Sequence, residues 1–179
     1  MVSVELLVTP KIPDVTALTA ANTVRRRLGY ADTLAELHRA DYYCIELAGD
    51  DADAALGLVR EMADRTTLFV NPNKHAYHVR LLEDRGKPVE GNGDQTINVL
   101  VTDPADASPA GILSSLQARE DCGDAVQGVR AGVLWTMRLT AASEEEALRM
   151  AEDITVTTSQ SQGVLMNPHF QECEFWAGS

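Results

Sequence analysis

The sequence predicts an α+β fold: two βαββαβ modules, helices packed on antiparallel sheet, arranged as an internal pseudo-dimer. Three observations lead there. Five short echoes run through the chain in order, at offsets that begin at 93, hold near 92 and end at 96. Each half, read by its hydrophobic period, gives the same succession of strands and helices. Between the halves lies a stretch rich in Gly, Pro and charge. The expected organisation is a first module over residues 1–82, a linker over 83–95 and a second module over 96–179.

The echoes pair Val4–Val8 with Ile97–Val101, Arg39 with Arg130, Tyr43–Leu47 with Trp135–Leu139, Ala55-Leu56 with Ala147-Leu148, and Asn71-Pro72 with Asn167-Pro168. A small insertion at Thr157–Gln162 accounts for the late jump in offset. A module of about 80 residues buries only some 60% of its unfolded surface and is marginal alone. Two modules on one tether can bury a shared face, each at high effective concentration for the other.

In the first half, Val2–Val8 alternates apolar and polar residues as a half-buried strand does. Asp14 after Pro13 is an N-cap, Gly29 a stop, and Leu18, Ala21, Val24 and Leu28 keep helical spacing between them, so Val15–Leu28 is a helix. A β-ribbon follows, with strands at Thr33–His38 and Tyr42–Leu47 and a turn near Ala40-Asp41. A second helix covers Asp53–Asp64, with Leu56, Val59 and Met62 on one face. A strand over Ala76–Leu82 closes the unit. In the second half, a strand at Ile97–Val101 leads to a helix near Pro109–Ala118 and a ribbon over Ala125–Leu139. Ser143 and Glu146 form an S-x-x-E capping box that opens a helix reaching Ile154. The last strand is Gln171–Trp176.

Composition excludes several classes. Of 179 residues, 45% are hydrophobic and 23% charged, which supports a packed core, and the 5% of aromatics makes that core aliphatic. The 15 basic residues against 27 acidic ones give a net charge of −12. That balance argues against nucleic-acid partners, which need basic surface, and against anionic membranes. The acidity is uneven: residues 1–80 hold 9 basic and 11 acidic residues, and residues 96–179 hold 4 and 12. The N-terminus lacks the basic start and apolar run of a signal peptide, and no window approaches the ~20 apolar residues of a membrane helix. Cys44, Cys122 and Cys173, an odd and scattered set, read as reduced thiols, so a cytoplasmic location is expected.

No motif points to catalysis. Gly91-Asn92-Gly93 precedes a strand, whereas a phosphate cradle leads into a helix. His75 and His78 sit at strand entry, where i and i+3 face opposite sides, and no third ligand is near in sequence. His169, Glu172 and Cys173 read as loop and strand positions. Cys44 has no basic neighbour in sequence to lower its pKa, and Cys122 lies among acids that disfavour a thiolate. Glu144-Glu145-Glu146 reads as a first helical turn and Arg25-Arg26-Arg27 as a last one, both matched to the helix dipole. Arg39 and Arg130 stand out because they occupy equivalent ribbon positions, where a guanidinium can fork onto a carboxylate or phosphate. No catalytic, cofactor-binding or metal-binding residues are therefore nominated, and no cofactor is expected.

The same residues resemble a known family, the small PurS subunit of phosphoribosylformylglycinamidine synthase. The first half carries Val4-Glu5-Leu6-Leu7-Val8 with Lys11 after it, Leu28-Gly29-Tyr30, Arg39, Glu46-Leu47, Met62, and Asn71-Pro72 before Tyr77-His78-Val79. The second half carries a sparser form: Ile97–Val101, Val129-Arg130-Ala131-Gly132, Leu139 and Asn167-Pro168. PurS itself is a single module of about half this length that forms homodimers. Its ribbon reads Arg, any residue, Gly, Lys. Here Ala40-Asp41-Tyr42 follows Arg39 without Gly or Lys, and Ala131-Gly132-Val133 follows Arg130 with the Gly alone.

The resemblance implies a non-catalytic subunit of an ATP-dependent glutamine amidotransferase complex in purine biosynthesis. Its partners would be a large synthetase subunit and a glutaminase subunit, bridged so that ammonia passes between them. A homodimer of the tandem chain is a further expected association. Arg39, Arg130, Asn71 and Asn167 are the nominated partner-interface residues. Two other readings stand beside this one. One is an ACT- or ferredoxin-like module that binds a small regulatory molecule at Arg39 or Arg130. The other is a diverged α+β dimeric-barrel enzyme using His38 or His75.

Overall fold

Apolar residues at every second position set the first strand: Val4, Leu6 and Val8 face one way and are fully or almost fully buried. In the computed structural model, which describes residues 1–86, 94–159 and 163–178, this is strand β1, Val2–Pro10. Helix α1 (Val15–Arg27) follows, its first N–H groups from Thr16 and Ala17 held by the Asp14 carboxylate. Gly29, at φ 84°, ends it in the left-handed region that glycine tolerates best. Then come β2 (Leu34–Leu47), α2 (Ala52–Arg65, capped by Asp51), β3 (His75–Leu81) and one short 3-10 turn at Leu82–Asp84.

The second half runs β4 (Asp94–Thr102), α3 (Ser108–Gln117), β5 (Val126–Thr140), α4 (Glu144–Thr155) and β6 (Glu172–Ala177). The architecture is α+β: four helices pack on an antiparallel sheet with strand order β3-β1-β2-β5-β4-β6.

Each expected ribbon is instead a single strand, and this corrects the βαββαβ order to β-α-β-α-β in each half. β2 is 14 residues long and β5 is 15. At Ala40-Asp41 there is no Gly, Pro or Asn to turn the chain, and no non-glycine residue among those described has a positive φ. Both strands stay extended because their two ends enter different cores. Leu34 and Leu37 of β2 belong to one cluster and Ile45 and Leu47 to another; likewise Val126 of β5 belongs to one, and Trp135, Met137 and Leu139 to the other.

The chain divides into two compact units, each drawn from both halves of the sequence. Unit 1 consists of residues 1–12, 40–85 and 105–132. In it β1 pairs antiparallel with β2 and β3, and the core joins Val4, Leu6, Val59 and Met62 to Leu116 and Val126. Unit 2 consists of residues 13–39, 86–104 and 133–179. There β4 pairs antiparallel with β5 and β6, and Ala17, Ala21 and Val24 of α1 pack with Ile97, Val99 and Ile154. Glu83–Gln95, read as a linker, lies partly outside the described residues, as do Gly91-Asn92-Gly93 and 160–162 of the expected insertion.

Candidate interface residues and a buried arginine cluster

Since Val4, Leu6 and Val8 face the core of unit 1, the strand period turns Glu5 to the opposite side of β1. Register sets Cys44 of β2 on one flank of Glu5 and Arg80 of β3 on the other. The Glu5 carboxylate is completely buried and saturated with donors. Arg80 Nε reaches Oε2 at 2.6 Å. Arg85 donates to Oε1 from Nε at 2.9 Å and from Nη2 at 2.6 Å, and the Tyr42 hydroxyl donates to the same oxygen at 2.9 Å. That hydroxyl also accepts from Arg85 Nη2 at 2.9 Å, and the Arg85 guanidinium carbon lies 5.8 Å from the Tyr42 ring centroid.

Such charge-assisted bonds are the strong ones. Burial raises the Tyr42 phenol well above its ordinary value, with neighbouring Cys44 and Glu5 adding to the effect. Arg80 Nη2 is buried with no hydrogen-bond partner among the described residues.

Arg130 extends the cluster along β5. Its Nη2 lies 3.5 Å from Cys44 Sγ and its Nε 4.0 Å from Glu46 Oε1, with the guanidinium partly exposed. Burial pushes the Cys44 thiol up, and neighbouring Arg130 offsets this only in part. A buried thiol held protonated is not a nucleophile. The chemistry of this cluster is pairing of buried charge, which fixes β1, β2, β3 and the segment at Arg85 to one another.

Unit 2 holds a neutral counterpart. Asn98 takes the place in β4 that Glu5 takes in β1, with Thr136 of β5 and Trp176 of β6 as register partners. Asn98 Oδ1 accepts from Thr136 Oγ1 at 2.7 Å, and its Nδ2 donates to the Gly178 carbonyl. Charge appears instead at the exposed side, where Arg138 links Glu36 at 2.5 Å and Asp94 at 2.9 Å.

The four nominated residues fall into two pairs. Arg39 and Arg130 lie in different units, and Arg39 Nη1 sits 3.5 Å from Oδ2 of Asp14, the α1 N-cap. Asn71 and Asn167 make the same turn. Asn71 Oδ1 accepts from Asn73 N–H, and its own N–H reaches His75 Nδ1; Asn167 Oδ1 accepts from His169 N–H, and its own N–H reaches Gln171 Oε1. Each asparagine therefore spends its side-chain oxygen on its own turn.

His38 pairs with Glu36 at the surface. Among the described residues no group of three His, Cys, Asp or Glu is placed to hold a metal. A cavity of about 450 Å³ in unit 1 is lined by Val2, Ser3, Asp50, Leu81 and Glu83, and contains none of the nominated residues. No helix among the described residues is long and apolar enough to cross a membrane.

Sequence reasoning missed Glu5, Tyr42, Arg80 and Arg85 as a cluster. Glu5 occupies a polar position of an alternating strand, which ordinarily faces water, and Arg85 lies 80 residues away in the stretch read as a linker. Comparison with protein-family models, with curated proteins and with solved structures finds no match.

Proposed function

We propose that this chain is a non-catalytic bridging subunit of a cytoplasmic phosphoribosylformylglycinamidine synthase complex, two PurS-like modules in one chain standing where a PurS dimer would. The observation that carries the reading is the ordered PurS-like pattern present in both halves. The strand registers support it: Glu5, Cys44 and Arg80 and their counterparts Asn98, Thr136 and Trp176 differ by 93, 92 and 96 positions, matching the drift of the sequence echoes. The halves differ in charge, with net −2 over residues 1–80 and net −8 over residues 96–179. A duplicated chain can diverge in this way to meet a synthetase with one module and a glutaminase with the other, which a symmetric homodimer cannot.

The test is reconstitution from the purified large subunit, the glutaminase and this chain. Glutamine-dependent amidine formation is expected only with all three present, while ammonia-dependent turnover persists in the large subunit alone. Equal glutamine-dependent rates with and without the chain would sink the proposal. A second reading, a module that binds a small regulatory molecule, would move the ligand from Arg39 or Arg130 to the cavity beside Ser3 and Glu83. It predicts thermal stabilisation by an amino acid or nucleotide.

A further inference from the structure

β3 and β6 are the two ends of the strand order, so among the described residues each has one side with no strand paired to it. Such an edge presents N–H and C=O groups that another strand can take up. One bond at each edge tells which residues present them. Lys11 N–H donates to the Lys74 carbonyl, in step with the β1–β3 register, and Gly178 N–H donates to the Thr96 carbonyl, in step with that of β4 and β6. Backbone groups of an antiparallel strand alternate between its two sides. The even-numbered residues of both strands therefore bond inward. His75, Tyr77, Val79 and Leu81 of β3, and Cys173, Phe175 and Ala177 of β6, turn their backbone groups outward.

The side chains follow the same parity. Tyr77, Val79 and Leu81 pack on the core of unit 1, and Cys173, Phe175 and Ala177 on the core of unit 2. The reverse face of β3 carries Ala76, His78 and Arg80, and that of β6 carries Glu172, Glu174 and Trp176. An antiparallel alignment of the two edges that joins their outward backbone groups thus also sets core-facing residues against core-facing ones. One such alignment does more. With Tyr77 opposite Phe175, all 6 residues of β6 are paired. Arg80 then faces Glu172, His78 faces Glu174, and small Ala76 faces large Trp176. A slip of two residues either way shortens the pairing and takes the basic residue away from one of the two carboxylates.

Opposite charges and aromatic pairs across strands are favourable, and like charges opposed are not. β6 laid against β6 gathers four carboxylates on one face, and β3 laid against β3 brings no carboxylate to His78 or Arg80. The charge of the chain points the same way: residues 1–80 are net −2 and residues 96–179 net −8, so a contact of β3 with β6 keeps the two acidic parts from meeting.

We infer that β3 of one copy of this chain pairs antiparallel with β6 of a second copy, in the register that sets Arg80 against Glu172 and His78 against Glu174. The contact is head to tail, so it extends the sheet from copy to copy, as a ring where the rotation closes and as an open chain where it does not.

Light scattering of the full chain is expected to show species of two or more copies as concentration rises. Glu172→Lys/Glu174→Lys is expected to weaken that association at least about tenfold. Both side chains are exposed, so circular dichroism of the variant is expected to match the wild type. The register is read by cross-linking. In a Cys173→Ser background, His78→Cys and Glu174→Cys chains are prepared separately and mixed under mild oxidation. The two positions form a non-hydrogen-bonded pair with Cα atoms about 4.5 Å apart, within disulfide reach. A covalent dimer is expected from the mixture and from neither variant alone. Three outcomes overturn the inference: single copies at every concentration, association that the double lysine variant leaves within about twofold of the wild type, and a mixture that yields no more covalent dimer than its separate components.

Discussion

Glu5 shows how strongly one side chain can depend on distant partners. It is a carboxylate with no exposed surface, held by guanidiniums at positions 80 and 85 and a phenol at 42. Burying that charge carries a desolvation cost which only the paired cations offset, so removing it strands Arg80 and Arg85 with no counter-charge. Glu5→Gln keeps the shape and removes the charge. It is expected to lower unfolding free energy by about 3–5 kcal/mol in urea titration, and a loss below about 1 kcal/mol would mean that the arginines relax into solvent. In the sequence this residue looked like an ordinary outward position of a half-buried strand. The period correctly separated it from Val4 and Leu6, yet it could not reveal that the far side of β1 is also covered.

At the level of elements, the helices were legible and the ribbons were not. Asp14 and Ser143 cap α1 and α4 where the sequence placed them, because a cap is a bond to a backbone N–H two or three residues on. The box at Ser143 closes slightly differently from expectation: Ser143 Oγ accepts from Glu146 N–H, but the Glu146 carboxylate takes the N–H of Ala142 rather than that of the cap itself. Ser143→Ala is expected to cost about 1 kcal/mol, read as a shift in the thermal midpoint, and an unchanged midpoint would show that water or Glu146 replaces the cap.

β2 and β5 misled for a physical reason. A change in which residues are buried partway along a strand resembles two strands and a turn. It arises here because one strand serves two cores, and nothing local to Ala40-Asp41 or to the middle of β5 reports that.

On the scale of the whole chain, neither core is complete within one half of the sequence. Unit 2 needs Ala17, Ala21 and Val24 of α1, each at most 5% exposed, and unit 1 needs Leu116, Cys122 and Val126. A fragment ending at residue 86 would expose the inner face of α1 and leave unit 1 without α3. Fragments 1–86 and 94–179 are therefore expected to lack a cooperative thermal transition when separate and to regain one when mixed. A cooperative transition in either fragment alone would contradict this reading of the cores. The two halves share the element order β-α-β-α-β; the echoes carried no information on which half each helix packs with.

The sequence alone determined the α+β class, the positions of the four helices and most strand ends, since these follow from hydrophobic period and from hydrogen bonds spanning a few residues. Tertiary structure decided the allocation of α1 and α3 to their cores, the continuity of β2 and β5, and the burial of Glu5 with Arg80 and Arg85. Each of these depends on contacts between residues that are tens of positions apart, and no local pattern records such contacts.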